Sequence, residues 1–322
     1  MRGLGLSLLR GVVVVAGVVT LTFLLLHVAP GDPIRYYLGP TASAEQIAGV
    51  KEALGLGRSL SVQYVDWLGR ALRGDFGTSI TTGRPAFRML MEAWPATLLL
   101  VGLSTVLGHL IGLAIGTWQA LTRRTVVDAG LTIGTVALYA MPSYWLGLVL
   151  TLVFSFQLRW LPAFGARGLD ADFLSPSMQW VDRLSHLALP LLTLTLIGIG
   201  AVARYARGSL RDLRSAPFLV VARSKGLGPV RVTVRHHLRN GLTPVLTMLG
   251  LSLPALFSGA VFVEAIFAWP GVGLVLVQAV KARDYPVVMA ATTISAMLVV
   301  IANLFTEWML RRIDPRIGAS RA

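Results

Sequence analysis

The sequence predicts an all-α, polytopic membrane protein, and three observations carry that prediction. Only 14% of the 322 residues are charged against 55% hydrophobic, about half the charged share of a soluble domain. Six stretches of at least 20 residues contain no Asp, Glu, Lys or Arg: 11–31, 93–122, 129–158, 184–203, 240–263 and 285–306. The charges that remain are split unequally between alternate connecting segments.

A helix needs about 20 residues to cross ~30 Å of hydrocarbon, so each window is long enough to span. Backbone polar groups in lipid must be satisfied within the segment, and the windows are solid apolar runs without the alternation of a barrel strand. Each therefore reads as a helix. The first window follows Arg2 and Arg10 like a signal peptide, but its apolar run exceeds the ~7–15 residues of such a segment. It reads as a retained first helix, domain 1–31.

Segment 32–92 is too long for an ordinary connection. Residues 54–57 and 74–78 read as turns around the amphipathic stretch 61–72, in which Val62, Val65, Leu68 and Leu72 recur at helical spacing. A small subdomain is expected there. In the second window Gly108, Gly112 and Gly116 line one helix face. Small residues at that spacing let helices approach closely in lipid, and packing within the subunit or at a subunit interface would both use it. Pro142, Pro190 and Pro254 fall in or beside apolar spans and suggest kinks. Residues 265–280 are apolar but too short to span. Trp269-Pro270-Gly271-Val272-Gly273 interrupts them, so a re-entrant or interfacial segment is expected.

Orientation follows from charge. The N-terminus, the second-to-third loop, segment 204–239 and the tail carry net charges of +2, +1, +8 and +2, which is 13 of the 14 net positive charges. The three alternate segments, 32–92, 159–183 and 264–284, carry +1, 0 and 0. Basic residues concentrate on the cytoplasmic side, so both termini and 204–239 are expected inside and 32–92 outside. The basic balance is a topology signal and not a nucleic-acid surface.

Several chemistries are excluded. With no cysteine there is no thiolate metal site, disulfide or cysteine nucleophile. No Gly-Lys-Ser/Thr phosphate cradle, no Gly-x-Ser-x-Gly and no His-Glu-x-x-His occurs. By construction the windows hold no carboxylate or lysine of the kind ion-coupled carriers place at mid-membrane. Their histidines are His27, His109 and His186, and His109 reads as a hydrogen-bonded packing residue. Adjacent His236 and His237 lack the spacing of helical metal ligands. No catalytic residue, metal site or cofactor is assigned. The chain reads as a pathway without its own engine, with a carrier working alone as the competing reading and an intramembrane enzyme disfavoured.

The most distinctive segment is 218–240. A short helix ending at Gly226, with Arg223 and Lys225 in its last turn, would form a capped basic knob. An ordinary basic loop is the alternative. Ala222-Arg223-Ser224-Lys225-Gly226-Leu227, followed by His236-His237-Leu238-Arg239-Asn240, resembles the coupling-loop signature of ABC-importer permeases. The resemblance is to the dipeptide/oligopeptide/nickel family, in the subunit with an N-terminal helix followed by a long external segment. Further matches are Leu24-Leu-Leu-His-Val-Ala-Pro-Gly-Asp-Pro33, Gln63-Tyr64 with Trp67-Leu68, and Gly74-Asp-Phe-Gly-Thr-Ser79. Pro95-Ala-Thr-Leu98, Glu264-Ala-Ile-Phe-Ala-Trp-Pro-Gly-Val-Gly273, Arg283-Asp-Tyr-Pro286 and Asp314-Pro-Arg316 complete the series. Departures are Ser224 and His237, where alanine is commoner. Val220, Val221 and Arg239 stand for the glutamate, alanine and proline of the general permease pattern, as is typical of this subfamily.

The resemblance implies a six-helix type I importer permease in a bacterial or archaeal inner membrane. Its core would be 93–310, with the coupling loop at 204–239 and a cytoplasmic tail at 311–322. The implied partners are a second homologous permease, two ATP-binding-cassette ATPases that bind the ATP and magnesium, and an extracytoplasmic binding protein. Ala222, Arg223, Ser224, Lys225 and Gly226 would then couple to an ATPase. Glu264, Trp269, Pro270 and Gly271 are external-gate candidates, with local capping, or pairing of Glu264 to Lys281 or Arg283, as the plainer reading. Di- and oligopeptides are the family's commonest cargo, with nickel, glutathione or oligosaccharide as alternatives.

Overall fold

A computed structural model of the chain describes residues 2–28, 38, 43–53, 57–122, 124–213, 216–232, 235, 238, 241, 248, 249, 252, 254 and 260–313. Among these the only β-type pairing is an isolated bridge between Thr78 and Pro85. The rest is helix and turn. Four helices are long and apolar enough to cross a membrane: α1 (Arg2–Val28), α4 (Ala86–Leu121), α7 (Pro176–Asp212) and α12 (Tyr285–Ile313). A fifth candidate is a bent pair, α5 (Thr125–Ala140) with α6 (Ser143–Thr151) and the π-helical turn Leu152–Gln157. Most of the fifth apolar window, 240–263, lies outside the described residues, as do residues 54–56, His236 and His237.

The kink expected at Pro142 is present and sharp, with α5 and α6 diverging by 103° at Met141 and Pro142. Proline drives the residue before it out of the helical region, and Met141 is extended at ψ 131° with Pro142 at ψ 134°. At Pro190, by contrast, α7 continues through the proline. Segment 204–239 is not all loop: its first nine residues belong to α7, which extends well beyond the charge-free window.

Helix α7 is central because small residues let its neighbours close on it. Gly108 of α4 meets Gly198, where an added Cβ would sit 3.3 Å from the Gly198 Cα. At Gly112 it would lie 2.8 Å from the Val202 Cβ, and at Gly116 it would collide with the Ala203 carbonyl. The three glycines therefore face α7 of the same chain. On another face of α7, a Cβ at Gly200 would sit 2.7 Å from the Thr135 carbonyl oxygen of α5. Backbones this close gain dispersion contacts that lipid cannot replace.

The segment after α1 holds α2 (Ala44–Ala53) and α3 (Leu60–Ala71). Trp67 of α3 is buried with Phe23 of α1, Leu90 and Trp94 of α4, and Val287 and Ala291 of α12. The short helices α10 (Val261–Ile266) and α11 (Val272–Lys281) form the interrupted segment expected around Trp269 and Pro270. They pack at the same end of the bundle as α3. The opposite, basic end carries α8 (Pro217–Ser224) and α9 (Pro229–Val232).

Candidate functional site

At the basic end, α8 begins five residues after the last residue of α7. Its period places Leu219 and Ala222 inward, where they bury against Val232 of α9 and the partly buried Leu227. Its other apolar side chains stay outside: Phe218 is 37% exposed, Val220 56% and Val221 51%. The helix ends one to two residues earlier than the sequence predicts. Arg223 and Ser224 are in its last turn, the Lys225 amide donates to the Val221 carbonyl, and Gly226 turns the chain at φ 76°. A left-handed residue there is what stops the helix. The product is a small self-packed knob with an apolar outer face.

Beside it lies an ion cluster that reaches across two helices. Asp128, in the first turn of α5, accepts from Arg207 Nε at 2.8 Å and Arg207 Nη2 at 2.9 Å, and from Arg211 Nη2 at 2.7 Å. The bidentate fork is the strongest geometry available to an Arg–carboxylate pair. Arg204, one turn earlier on α7, stacks 4.1 Å over the Tyr139 ring of α5. Part of the basic excess on this side is therefore bound up in joining α5 to α7, immediately before the knob.

At the other end sits the gate candidate Glu264, fully buried. Its Oε1 accepts from the Thr97 hydroxyl of α4 at 2.8 Å and its Oε2 from the Gly273 amide at 2.6 Å. Thr97 Oγ1 in turn accepts from the Val272 amide at 2.9 Å. Pairing with Lys281 or Arg283 is not what holds this carboxylate. Its partners come from the hydroxyl of another helix and the first amides of α11, where the helix dipole also favours an anion. Trp269 is buried and donates its indole N–H to the Ala96 carbonyl at 2.9 Å. Pro270 is exposed. A Cβ at Gly271 would collide with the Glu264 carboxylate, and one at Gly273 would sit 2.6 Å from the Val261 Cα. Ala268 holds φ 46°, a conformation costing a non-glycine residue about 1–3 kcal/mol. The segment is a tight, overdetermined turn built around one carboxylate.

A second buried carboxylate stands nearby. Asp284 precedes α12 and accepts from the Ser79 hydroxyl at 2.5 Å, the Thr81 hydroxyl at 2.8 Å and the Ile80 amide at 3.1 Å. It fastens the loop before α4 to the start of the last helix. His109 bonds through Nδ1 to the Thr105 carbonyl at 2.8 Å, as a packing residue would.

Asp128, Thr97 and Asp284 were not singled out from sequence as site residues. Thr97 and Asp284 lie within motifs already quoted, and Asp128 is the sole acidic residue of its connecting segment. That isolation in a basic context was its available signal.

Matches to known proteins run along nearly the whole chain. Residues 112–319 match the family described as binding-protein-dependent transport system inner membrane component, and residues 4–101 match the N-terminal region of such membrane components. The oligopeptide transport system permease protein AppB of Bacillus subtilis is 38% identical over 96% of both chains. The di/tripeptide transport system permease protein DppB of Pseudomonas aeruginosa is 35% identical over 95% of both. The glutathione transport system permease protein GsiC of Salmonella choleraesuis is 36% identical over 93% of both. A crystal structure of an amino acid ABC transporter matches with a TM-score of 0.52, covering 70% of this chain and 94% of that one, at 15% identity. That likeness supports the fold.

Proposed function

The chain belongs to the binding-protein-dependent transport system inner membrane component family, and from that membership we propose that it is one of two permease subunits importing di- or oligopeptides at the expense of ATP hydrolysed elsewhere. The relatives named for oligopeptides, di/tripeptides and glutathione support a peptide cargo. A second permease, two ATPases and an extracytoplasmic binding protein complete the assembly, with ATP and magnesium held by the ATPases.

The observation that carries the reading is the knob. Helix α8 presents Phe218, Val220 and Val221 outward while Leu219 and Ala222 anchor it. A short helix with one buried and one exposed apolar face is built to seat in a groove of another protein. ATP-driven closure of the ATPases would displace the segment 222–226, and α7 would carry the displacement into the membrane. At the far end, Glu264, Trp269, Pro270 and Gly271 form the outer gate, which opens when the α10–α11 turn moves against α4. Both termini and α8 face the cytoplasm in this arrangement.

Reconstitution tests the proposal. Peptide uptake into proteoliposomes should require the partner permease, the ATPases, ATP and binding protein together. Uptake by this chain alone under a proton or sodium gradient would overturn it in favour of a self-powered carrier. Because the chain has no cysteine, Leu60→Cys and Lys225→Cys report orientation cleanly. An impermeant thiol reagent should label position 60 in intact cells and position 225 only after permeabilisation, and the reverse pattern would invert the topology.

A further inference from the structure

A cleft of about 630 Å³ lies where the end of α1, the helix α3 and the start of α12 meet. Its floor is aromatic. The Phe23 and His27 rings of α1 lie 4.1 Å apart, tilted by 35°, and His27 lies 5.3 Å from the Tyr285 ring. Trp67 of α3 closes another wall. It is only 8% exposed, and among the described residues its indole Nε1–H meets no acceptor.

The rim has a different character. Arg58, Arg70 and Arg73 line it with Glu52 and Asp66. Asp66 is engaged by Arg58 at 3.0 Å. Among the described residues the guanidinium groups of Arg70 and Arg73 have no such partner. Three arginines therefore gather at one cleft in a segment, 32–92, whose net charge is only +1.

Position decides what such a site would hold. Helix α1 ends at Val28 and α12 begins at Tyr285, so the cleft sits where apolar spans meet polar chain. Leu21, Leu24 and Leu25 at this end of α1 are all about half exposed or more. An aromatic floor, an arginine rim and an adjoining apolar helix match an amphiphile with a phosphate at the membrane boundary.

We propose that the cleft binds the headgroup and glycerol of a phospholipid from the adjoining leaflet. The phosphodiester sits on Arg70 and Arg73, and Glu52 receives the ammonium of an amine-bearing headgroup. The volume suits a headgroup and leaves the acyl chains to run along Leu21, Leu24 and Leu25. The lipid would staple α1 and α3 to α12, independently of what the transporter carries.

The test counts phospholipid retained by the assembled transporter after exhaustive detergent washing, by mass spectrometry. The wild type should keep one phospholipid per copy of this chain, with amine-bearing headgroups enriched over the bulk membrane. Arg70→Gln with Arg73→Gln should weaken retention at least about tenfold, the cost of losing charged hydrogen bonds. Should that double variant fail to assemble, Gly69→Phe decides. Gly69 lines the cleft on α3 and a Cβ there meets nothing within 4 Å, so a ring fills the cleft without strain and should expel the lipid. Glu52→Gln should abolish the amine-headgroup enrichment while lipid remains bound. Equal retention in wild type and Gly69→Phe would overturn the proposal. Displacement of the lipid by millimolar inorganic phosphate alone, or by a zwitterionic dipeptide, would also overturn it and reassign the cleft to a soluble anion or to peptide.

Discussion

The hydroxyl of Thr97 stands between Glu264 and the first amide of α11, donating to the carboxylate at 2.8 Å and accepting from Val272 at 2.9 Å. Residues 167 positions apart are joined by a single side chain that fills both of its roles. Thr97→Val keeps the shape and removes both bonds, leaving a buried carboxylate oxygen and a buried amide unsatisfied. The expected cost is about 1–3 kcal/mol, read as a lower melting temperature of the assembled complex. Thr97→Ser should retain most of the stability. Glu264→Gln should also be defective, because an amide cannot accept on both sides. Normal uptake by Glu264→Gln and Glu264→Ala would remove this residue from the gate.

Gly116 abuts the Ala203 backbone of α7, so even a methyl group forces α4 and α7 apart. Gly116→Leu should abolish accumulation of the folded subunit in the membrane. Gly130, on α5, has nothing within 4 Å of a Cβ. Gly130→Ala should leave expression and melting temperature unchanged or slightly raised, since alanine favours helix by about 1 kcal/mol over glycine. Equal behaviour of the two variants would show that the glycine face is not a close-packed seam.

Asp128 binds Arg207 and Arg211 of α7, which lie ten and six residues before α8 begins. Asp128→Asn leaves the size unchanged but weakens the charge-assisted bonds, costing roughly 1–3 kcal/mol. If this cluster yokes α5 to α7, the variant should still assemble and hydrolyse ATP while moving several-fold less peptide per ATP. An unchanged ratio of uptake to hydrolysis would reduce the cluster to a purely structural bond.

Gly226 takes φ 76° in open space, so its constraint is backbone conformation and not crowding. Gly226→Val strains that turn by roughly 1 kcal/mol or more. The variant should bind loaded binding protein normally yet lose substrate-stimulated ATP hydrolysis and uptake. Gly226→Asn, which tolerates the left-handed region better, should recover much of both. Wild-type coupling in Gly226→Val at normal expression would show that α8 is not the transmission element.

What the sequence alone determined is what local composition controls. A run without charge is transferred to lipid wherever it lies, so α1, α4, α7 and α12 were legible from their windows. The spacing of Gly108, Gly112 and Gly116 announced a close-packed face, and Gly226 announced a helix stop, because one residue's conformational freedom suffices for each. Tertiary structure alone decided which helix the glycine face meets, that Pro142 breaks its span by 103° while Pro190 sits within a continuous helix, and that Glu264 is held by Thr97 instead of by neighbouring cations. The same holds for Asp128 with Arg207 and Arg211, and for Asp284 with Ser79 and Thr81. These pairings join residues dozens to hundreds of positions apart. A carboxylate is stable in the interior only where packing brings donors to it, and that arrangement is a property of the assembled helices and not of any one stretch of chain.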